Sequence, residues 1–307
     1  MILNTVRELL SLNLNFIKTK INRRRERKEL KYHMVDHASQ NCVEEMYESY
    51  RPTFVLSTGR TGTKFLTQVL DMSASITAYH EPRPVLQYFC NYVYHNHQEE
   101  EIITEMINSA RLELILDAYI KNKVYLETNQ CLSFFASPLS KLFQEAKFIH
   151  LVRHPGDFVR SAVRKGWYKS DTLWEIGRIK KEAQEEWAEM NQIEKIAWLW
   201  DSTNQFIEDF KAGLDDKSRL LTVKSEEIYS NPDAINDILS FMEVDRLELN
   251  KIKQRQLKPV NKIKKSNNPA SNINKKFNYP KYKEWQESKK DYLRKNVSLN
   301  KKYGYNL

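Results

Sequence analysis

The sequence predicts an α/β fold, a three-layer sandwich in which helices cover both faces of a central parallel sheet. Short apolar segments alternate with longer segments of helical spacing along most of the 307 residues, which is the order that parallel strands joined by helices require. A glycine-containing turn follows the first apolar segment, and a Pro-Gly turn follows a later one. Since such sheets bind ligands at the carboxyl ends of their strands, these two turns mark the expected site.

Five short apolar segments bounded by polar or turn-forming residues are predicted as strands. They are residues 53–57, 76–79, 124–128, 148–152 and 220–224. Runs with helical periodicity lie between and after them, at residues 64–71, 99–121, 193–211 and 233–242. The turn Asn231-Pro232-Asp233 is expected to cap the last of these helices. The clearest helix is 193–211, whose apolar stripe recurs at three- and four-residue spacing through Ile196, Leu199, Trp200, Thr203, Phe206, Ile207 and Phe210.

The turn after the first predicted strand has the character of a phosphate-binding loop. It comprises Ser57, Thr58, Gly59, Arg60, Thr61, Gly62, Thr63 and Lys64. A strand that leads through a glycine turn into a helix aims backbone N–H groups and the positive end of the helix dipole at one point, where an anion binds. The loop is not a Walker A motif, because only two residues separate its glycines and Phe65 follows the lysine. A nucleoside triphosphate is therefore disfavoured as the ligand.

A second turn, within residues 147–167, indicates which anion binds. An apolar strand ends at Arg153, a Pro-Gly turn follows, and Ser161 comes eight residues after the arginine. Together with the glycine loop, this pattern resembles the superfamily of sulfotransferases that use 3′-phosphoadenosine 5′-phosphosulfate (PAPS). The resemblance implies that residues 57–64 hold the 5′-phosphosulfate and that Arg153 and Ser161 hold the 3′-phosphate. It extends over roughly residues 50–265.

The residue types suit these implied roles. Arg153 can present a planar fork to a phosphate, and Ser161, about one turn into the next helix, can add a hydroxyl donor. The alternative for Arg153 is an ordinary surface arginine in a strand-to-helix turn. The resemblance places Arg60 where the family has a lysine or arginine on the bridging oxygen of the leaving group. Lys64 departs from the usual Ser or Thr, so it either adds a donor to the sulfonate or points outward.

A base for the acceptor is expected in the turn after the second predicted strand, which reads His80-Glu81-Pro82-Arg83-Pro84. Its position matches the place where many members of the superfamily carry a catalytic glutamate or histidine. We favour Glu81, and His80 competes because its ordinary pKa suits proton transfer at neutral pH. The structural alternative is a turn that the prolines merely stiffen. Transfer is expected to be in line, and no metal is required because a sulfuryl group carries less charge than a phosphoryl group.

Other polar residues near these turns receive weaker assignments. Glu127 and Asn129 follow a strand that is expected to end at the same pocket, so they are candidates for binding the acceptor. Asp157 is expected to cap the helix after the Pro-Gly turn, and His154 has no assigned role.

Composition agrees with an enzyme that uses a nucleotide. With 41% hydrophobic residues and many aromatic ones, the chain can bury a full core. Cys42, Cys90 and Cys131 are too few and too scattered for a disulfide scaffold, which indicates reduced thiols in a cytosol. The abundance of lysine and asparagine suggests a bacterial source.

Positive charge is concentrated near the end of the sequence. Residues 251–302 hold seventeen Lys or Arg against three acidic residues, so the rest of the chain is net acidic. Nucleic-acid binding is not predicted, because no helix-turn-helix, zinc or RNP pattern accompanies the basic segment. The family resemblance implies instead that a late basic loop contacts the 3′-phosphate, with Lys262, Lys264 and Lys265 as candidates. A solvated lysine-rich surface is the alternative.

The first 49 residues are predicted to be a separate segment, and residues 50–307 the sulfotransferase-like domain. Residues 1–17 form an imperfect amphipathic pattern that a basic run follows. Packing on the protein's own core or in a homo-oligomer is the favoured interpretation, and a membrane-surface or partner contact through residues 1–31 is the other. No secretory signal or membrane span is recognised. The protein is therefore expected in the cytoplasm, with peripheral membrane contact as the variant.

The leading hypothesis is a PAPS-dependent sulfotransferase that acts on a hydroxyl or amine of a glycan, lipid or small metabolite. Its partners are then the nucleotide and an unidentified acceptor. A nucleotide kinase is the first alternative, disfavoured by the missing Lys-Ser/Thr pair and the lack of a clear aspartate for magnesium. A non-catalytic nucleotide-binding module is the second.

Overall fold

A five-stranded parallel sheet forms the centre of the structure, a computed structural model that describes residues 42–169, 173–257 and 279–307. In chain order the strands are β1 Thr53–Leu56, β2 Ile76–His80, β3 Val124–Thr128, β4 Lys147–Val152 and β5 Leu220–Lys224. Their order across the sheet is β2-β3-β1-β4-β5, and every neighbouring pair is parallel. The carboxyl ends of all five strands therefore lie at one edge.

Helices precede, connect and follow the strands. Those before β4 are α1 Cys42–Ser49, α2 Thr63–Leu70, α3 Cys90–His95, α4 Glu100–Ile120 and α5 Ala136–Leu142. Those between β4 and β5 are α6 Pro155–Val163, α7 Leu173–Ile176, α8 Gln184–Glu189 and α9 Gln192–Gly213. After β5 come α10 Ser225–Ser230, α11 Pro232–Phe241, α12 Leu249–Gln256 and α13 Glu287–Asn296. Short 3₁₀ turns occupy Gln87–Phe89, Gln130–Phe134, Lys217–Arg219 and Tyr282–Glu284.

Apolar side chains cover both faces of the sheet, as a three-layer fold requires. In β1, Phe54 and Leu56 belong to the core on one face, while Val55 belongs to the core on the other. The first face is aromatic, and the rings of Phe54 and Phe148 lie 5.9 Å apart. Helices α2 and α11 contribute to the core on the second face, through Leu66 and Ile235 among others. Burial on both sides explains why the strands are apolar throughout rather than alternating.

The predicted α/β fold with its parallel sheet is confirmed, and the predicted strands and helices differ from the observed ones only at their ends. β2 includes His80 because that residue pairs in register with Thr128 of β3. The long helix α9 begins at Gln192 because Asn191 caps it, and Glu194 bonds back to the Asn191 amide in a capping box. Asn231 caps α11 as expected, by accepting from the Asp233 amide.

Residues 1–41 and 258–278 lie outside the described residues, and so do the amphipathic segment and Lys262, Lys264 and Lys265. The division of the chain at residue 49 therefore stays a prediction. Helix α1, which falls on the N-terminal side of that division, packs on the core through the buried side chain of Met46. None of the described helices is both long and apolar enough to span a bilayer.

His150 gives the fold a pH-dependent stability. It lies on β4, fully buried, with Nε2 2.8 Å from Oδ1 of Asn204. Burial lowers its pKa to about 4, an effect that Asn204 and Glu208 oppose in part. The folded protein thus holds the neutral imidazole, whereas the unfolded chain takes up a proton below about pH 6.5.

We therefore expect His150 to reduce the free energy of unfolding as the pH falls from about 6.5 to about 4, by up to about 3 kcal/mol. Urea titrations at the two pH values, on the native protein and on His150→Gln, measure the contribution as a difference. The variant should lose less stability on acidification than the native protein. Equal losses would show that His150 titrates alike in both states.

Candidate active site

The candidate site lies where the strand order reverses at the carboxyl edge of the sheet. β1 is flanked by β3 on one side and by β4 on the other, and the connections from β1 and β4 leave toward opposite faces of the sheet. The loop between β1 and α2 therefore sits at the crevice in which doubly wound sheets bind ligands. The two turns singled out from the sequence meet there.

The β1–α2 loop is held in a left-handed backbone conformation at three positions. Gly59, Arg60 and Gly62 have φ values of 73°, 55° and 95°, a region that glycine adopts without strain and other residues rarely adopt. A Cβ at Gly62 would lie 2.7 Å from the Tyr229 hydroxyl, and one at Gly59 would lie 2.0 Å from Oε1 of Gln130. The loop needs glycine for its conformation and for its close packing.

Hydrogen bonds from two other elements fix the loop. Ser57 and Ser133 exchange a pair, in which the Ser57 amide donates to Oγ of Ser133 at 2.9 Å and that hydroxyl donates to the Ser57 carbonyl at 3.0 Å. Ser225, the first residue of α10, donates its hydroxyl to the Thr61 carbonyl at 2.6 Å. These three bonds tie the loop backbone to the turn after β3 and to α10.

No side chain of the described residues caps the start of α2. Gly62 is the N-cap and supplies no side-chain acceptor to the first turn, whose amide groups have no partner within the helix. The Thr61 hydroxyl is buried and has no hydrogen-bond partner among the described residues. The amide groups at the start of α2 act together with the helix dipole, so this end of the helix suits an anion.

Two guanidinium groups lie beside these donors. Arg153 donates from Nη1 to the Arg60 carbonyl at 2.6 Å, and Arg60 donates from Nε to the Ser161 hydroxyl at 3.1 Å. Neither arginine forms an ion pair with a carboxylate within the described ranges. Burial, followed by the nearby charge of Arg153, lowers the pKa of Arg60. Two partly buried cations without a carboxylate partner create a strong preference for an anionic ligand.

The structure brings both Arg153 and Ser161 to Arg60. Arg153 contacts the backbone carbonyl of Arg60, whereas Ser161 contacts its side chain. Helix α6, which carries Ser161, is capped by His154, whose Nδ1 accepts from the Gly156 amide at 3.1 Å. The expectation that Asp157 caps this helix is wrong, because Asp157 lies within the first turn. His154 thus gains a role that its sequence position did not suggest.

His80 and Glu81 lie at the end of β2, on the same cleft as the loop. The Glu81 amide donates to the Thr128 carbonyl at 3.0 Å, and Glu81 has a left-handed φ of 49°. That conformation turns the chain out of the sheet and leaves the Glu81 carboxylate exposed to solvent. Burial lowers the pKa of His80, while Glu81 and the contact with Thr128 oppose the effect.

Glu127 does not face the cleft, and its predicted role in binding the acceptor is wrong. The carboxylate is fully buried, and Arg111 donates to both of its oxygens, at 2.6 and 3.0 Å. Tyr125 and Asn129 donate to it as well, at 2.7 and 3.0 Å. Arg111 also donates to the carbonyl of Pro84 at 3.0 Å, so this buried ion pair holds the turn that carries Glu81. Asn129 is likewise committed to the network.

The cleft has a volume of about 270 Å³. Beyond the predicted residues it is lined by Phe65, Gln130, Lys165, Trp167, Trp174 and Tyr229. The rings of Phe65 and Tyr229 lie 4.7 Å apart beside Gly62 and form an aromatic wall. This wall cannot be read from the sequence, because Tyr229 is more than 160 residues from Phe65 and only folding brings the two rings together.

Most of the predicted site residues therefore share one place. The loop consists of Ser57 to Lys64, and Arg153 and Ser161 lie beside it. One side of the cleft is closed by His80 and Glu81. Lys262 lies outside the described residues. Within the described ranges, no group of His, Cys, Asp and Glu side chains has the arrangement of a metal site.

The model of a sulfotransferase family matches residues 52–248. A comparison with curated proteins gave no match.

Solved structures with a similar fold include three sulfotransferases. The sulfotransferase domain of the Synechococcus PCC 7002 olefin synthase is 17% identical over 84% of this chain and 97% of its own, with a TM-score of 0.48. The sulfotransferase domain from the curacin biosynthetic pathway is 18% identical over 66% of this chain and 77% of its own, with a TM-score of 0.45. A mouse sulfotransferase complexed with PAP is 13% identical over 72% of this chain and 71% of its own, with a TM-score of 0.39.

Proposed function

The chain belongs to the sulfotransferase family, and we propose that it transfers the sulfuryl group of PAPS to a hydroxyl or amine acceptor. The observation that carries this proposal is that Arg60, Arg153 and the uncapped start of α2 line the same cleft. An anion with more than one charged group matches that set of donors better than a single phosphate does, because the donors belong to two separate elements.

The residues divide into two phosphate-binding groups. The amides at the start of α2 and the buried Thr61 hydroxyl, which has no described partner, suit the 5′-phosphosulfate. Arg153 and Ser161 suit the 3′-phosphate. Arg60 links the two groups, since it belongs to the loop before α2 and contacts Arg153 through its carbonyl and Ser161 through its Nε. Its remaining N–H groups are then available to the oxygen that bridges sulfur and phosphorus.

The aromatic wall of Phe65 and Tyr229 supports a nucleotide as the carrier. Phe65 is buried, so the exposed ring of Tyr229 is the face on which a purine can stack. Base stacking on an aromatic side chain contributes about 1–3 kcal/mol. Tyr229 is partly exposed next to the loop glycine, so its ring is accessible beside the phosphate-binding groups.

The transfer step is an in-line displacement. The acceptor oxygen or nitrogen attacks sulfur as the bond from sulfur to the bridging oxygen breaks, and adenosine 3′,5′-bisphosphate leaves. The acceptor's proton passes to a base at the end of β2, either Glu81 or His80. Arg60 and the α2 amides neutralise the charge that develops on the leaving oxygen.

A binding experiment tests the 3′-phosphate group. We expect Arg153→Ala and Ser161→Ala to weaken the binding of adenosine 3′,5′-bisphosphate more than the binding of adenosine 5′-phosphate. The loss of one charge-assisted contact costs about 1.5–3 kcal/mol. Calorimetric titration of both nucleotides measures the difference. Arg246→Ala is the matched control, because Arg246 is an exposed arginine that pairs with Asp237. Equal weakening of the two nucleotides would remove Arg153 and Ser161 from this role.

A transfer assay tests the function itself. The protein is incubated with PAPS labelled in its sulfur and with panels of glycans, lipids and small hydroxyl or amine compounds. We expect label in at least one acceptor and the stoichiometric release of the bisphosphate. If the bisphosphate binds tightly but no panel member is labelled, the non-catalytic nucleotide-binding alternative gains support.

A further inference from the structure

A chain of hydroxyl groups connects helix α2 to the imidazole of His80. The Thr67 hydroxyl donates to the Thr63 carbonyl at 3.0 Å and lies 2.6 Å from the Thr128 hydroxyl. The Thr128 hydroxyl in turn lies 2.9 Å from Nδ1 of His80. Thr67 and Thr128 are both buried, so water does not compete for these bonds.

Each threonine hydroxyl has one hydrogen, and this fixes the direction of the chain. The Thr67 hydrogen is committed to the Thr63 carbonyl, so Thr67 accepts from Thr128. Since the Thr128 hydrogen is then used, its oxygen must accept from Nδ1 of His80. The histidine thus carries its proton on Nδ1, and Nε2 keeps a free lone pair.

If the hydrogen bonds of the chain ran in the opposite direction, fewer of its polar groups would have a hydrogen-bond partner. If Thr128 donated to Nδ1, Thr67 would have to donate to Thr128 and would give up its bond to the Thr63 carbonyl. Thr128 could otherwise donate to the Tyr79 carbonyl, but that oxygen is 3.5 Å away, beyond the range of a good hydrogen bond. The first arrangement therefore contains one more bond than either alternative.

His80 lines the cleft of the proposed reaction, and Nε2 is the ring nitrogen that the hydroxyl chain does not contact. Nε2 has no hydrogen-bond partner within the described part of the chain, and the ring lines the cleft with Arg60, Lys64 and Glu81. The charges of Lys64 and Arg60 act with burial to keep the ring neutral, while the Glu81 carboxylate favours its protonated form. A neutral ring with a free lone pair beside a carboxylate is suited to take up a proton.

We propose that Thr67 and Thr128 are positioning residues that fix His80 as the Nδ1–H tautomer, so that Nε2 takes the acceptor's proton. The inference rests on the proposed function, and it revises the preference for Glu81 that the sequence suggested. The proton moves from the acceptor oxygen or nitrogen to Nε2 as the new bond to sulfur forms, and Nδ1 keeps its bond to Thr128. Glu81 then stabilises the imidazolium that results.

The tautomer can be observed without any assay of transfer. The ¹⁵N chemical shifts of a histidine ring distinguish a protonated from an unprotonated nitrogen, and the signals of His80 are those that disappear in His80→Gln. In the native protein at neutral pH, we expect Nδ1 to carry the proton. In Thr67→Val, the Thr128 hydrogen is released to donate to Nδ1, so the proton should move to Nε2.

The hydroxyl-retaining variants supply the matched controls. Thr67→Ser and Thr128→Ser should keep the proton on Nδ1, whereas Thr128→Val should leave a mixture of tautomers. A native ring with the proton on Nε2 overturns the proposal, and so does a Thr67→Val ring identical to the native one. If a valine variant does not fold, the native spectrum and the serine variants still decide. Failure of the bisphosphate to bind would overturn the proposed function instead, and would leave the tautomer result unaffected.

Discussion

Arg60→Ala is expected to lower the rate of sulfuryl transfer by about a hundredfold to a thousandfold, which is the usual loss when a donor to a developing oxyanion is removed. Arg60 is the side chain that joins the loop to α6, through its Nε bond to Ser161. Burial beside Arg153 already lowers its pKa, so its charge is poorly screened and acts strongly on a nearby anion. The loss should appear in kcat, because the charge on the leaving oxygen develops only in the transition state.

The fold should survive this change. Alanine adopts the left-handed φ of position 60 about as poorly as arginine does, so the backbone penalty is nearly the same in both proteins. Thermal unfolding checks this, and Arg60→Lys is the matched variant because it keeps the charge but loses the planar fork. Near-normal turnover by a folded Arg60→Ala protein would mean that the sulfuryl group is bound elsewhere.

His80→Gln is expected to lower turnover by about a hundredfold or more, the range for the loss of a general base, with little change in the affinity for adenosine 3′,5′-bisphosphate. Glutamine keeps a polar side chain at the end of β2 but cannot take up a proton. Steady-state rates and calorimetry on the same preparations separate the two effects.

Glu81→Gln is the companion variant, and it should lose less activity, since the carboxylate acts on the ring and not on the acceptor. A large loss in Glu81→Gln with normal turnover in His80→Gln would assign the base to the glutamate. Retention of activity in both variants would mean that the acceptor arrives already ionised or strongly nucleophilic.

Most of the fold could be predicted from local sequence patterns. The strands are short apolar runs buried on both faces, and such runs are readable without knowledge of their partners. The loop at Gly59 and Gly62 was readable for a similar reason, because its left-handed backbone conformation favours glycine. Both features are set within a few residues of the chain.

Features that depend on distant contacts were not readable. Glu127 is the penultimate residue of β3, a strand that ends near the cleft, so its position suggested a binding residue. Its real role depends on Arg111, which lies on another element and pairs with it in the core. The contact between Arg60 and Ser161 and the hydroxyl chain from Thr67 to His80 likewise join residues far apart in sequence.

Calorimetric titration with adenosine 3′,5′-bisphosphate tests whether the cleft is a PAPS site, because this nucleotide is the product that any PAPS-dependent transfer must release. ATP with magnesium serves as the competing ligand, and parallel titrations contain a chelator. We predict one bisphosphate site per chain, with an affinity that the chelator does not change and that exceeds the affinity for ATP with magnesium. Absence of bisphosphate binding by the folded protein, or tighter binding of ATP with magnesium, would contradict the account.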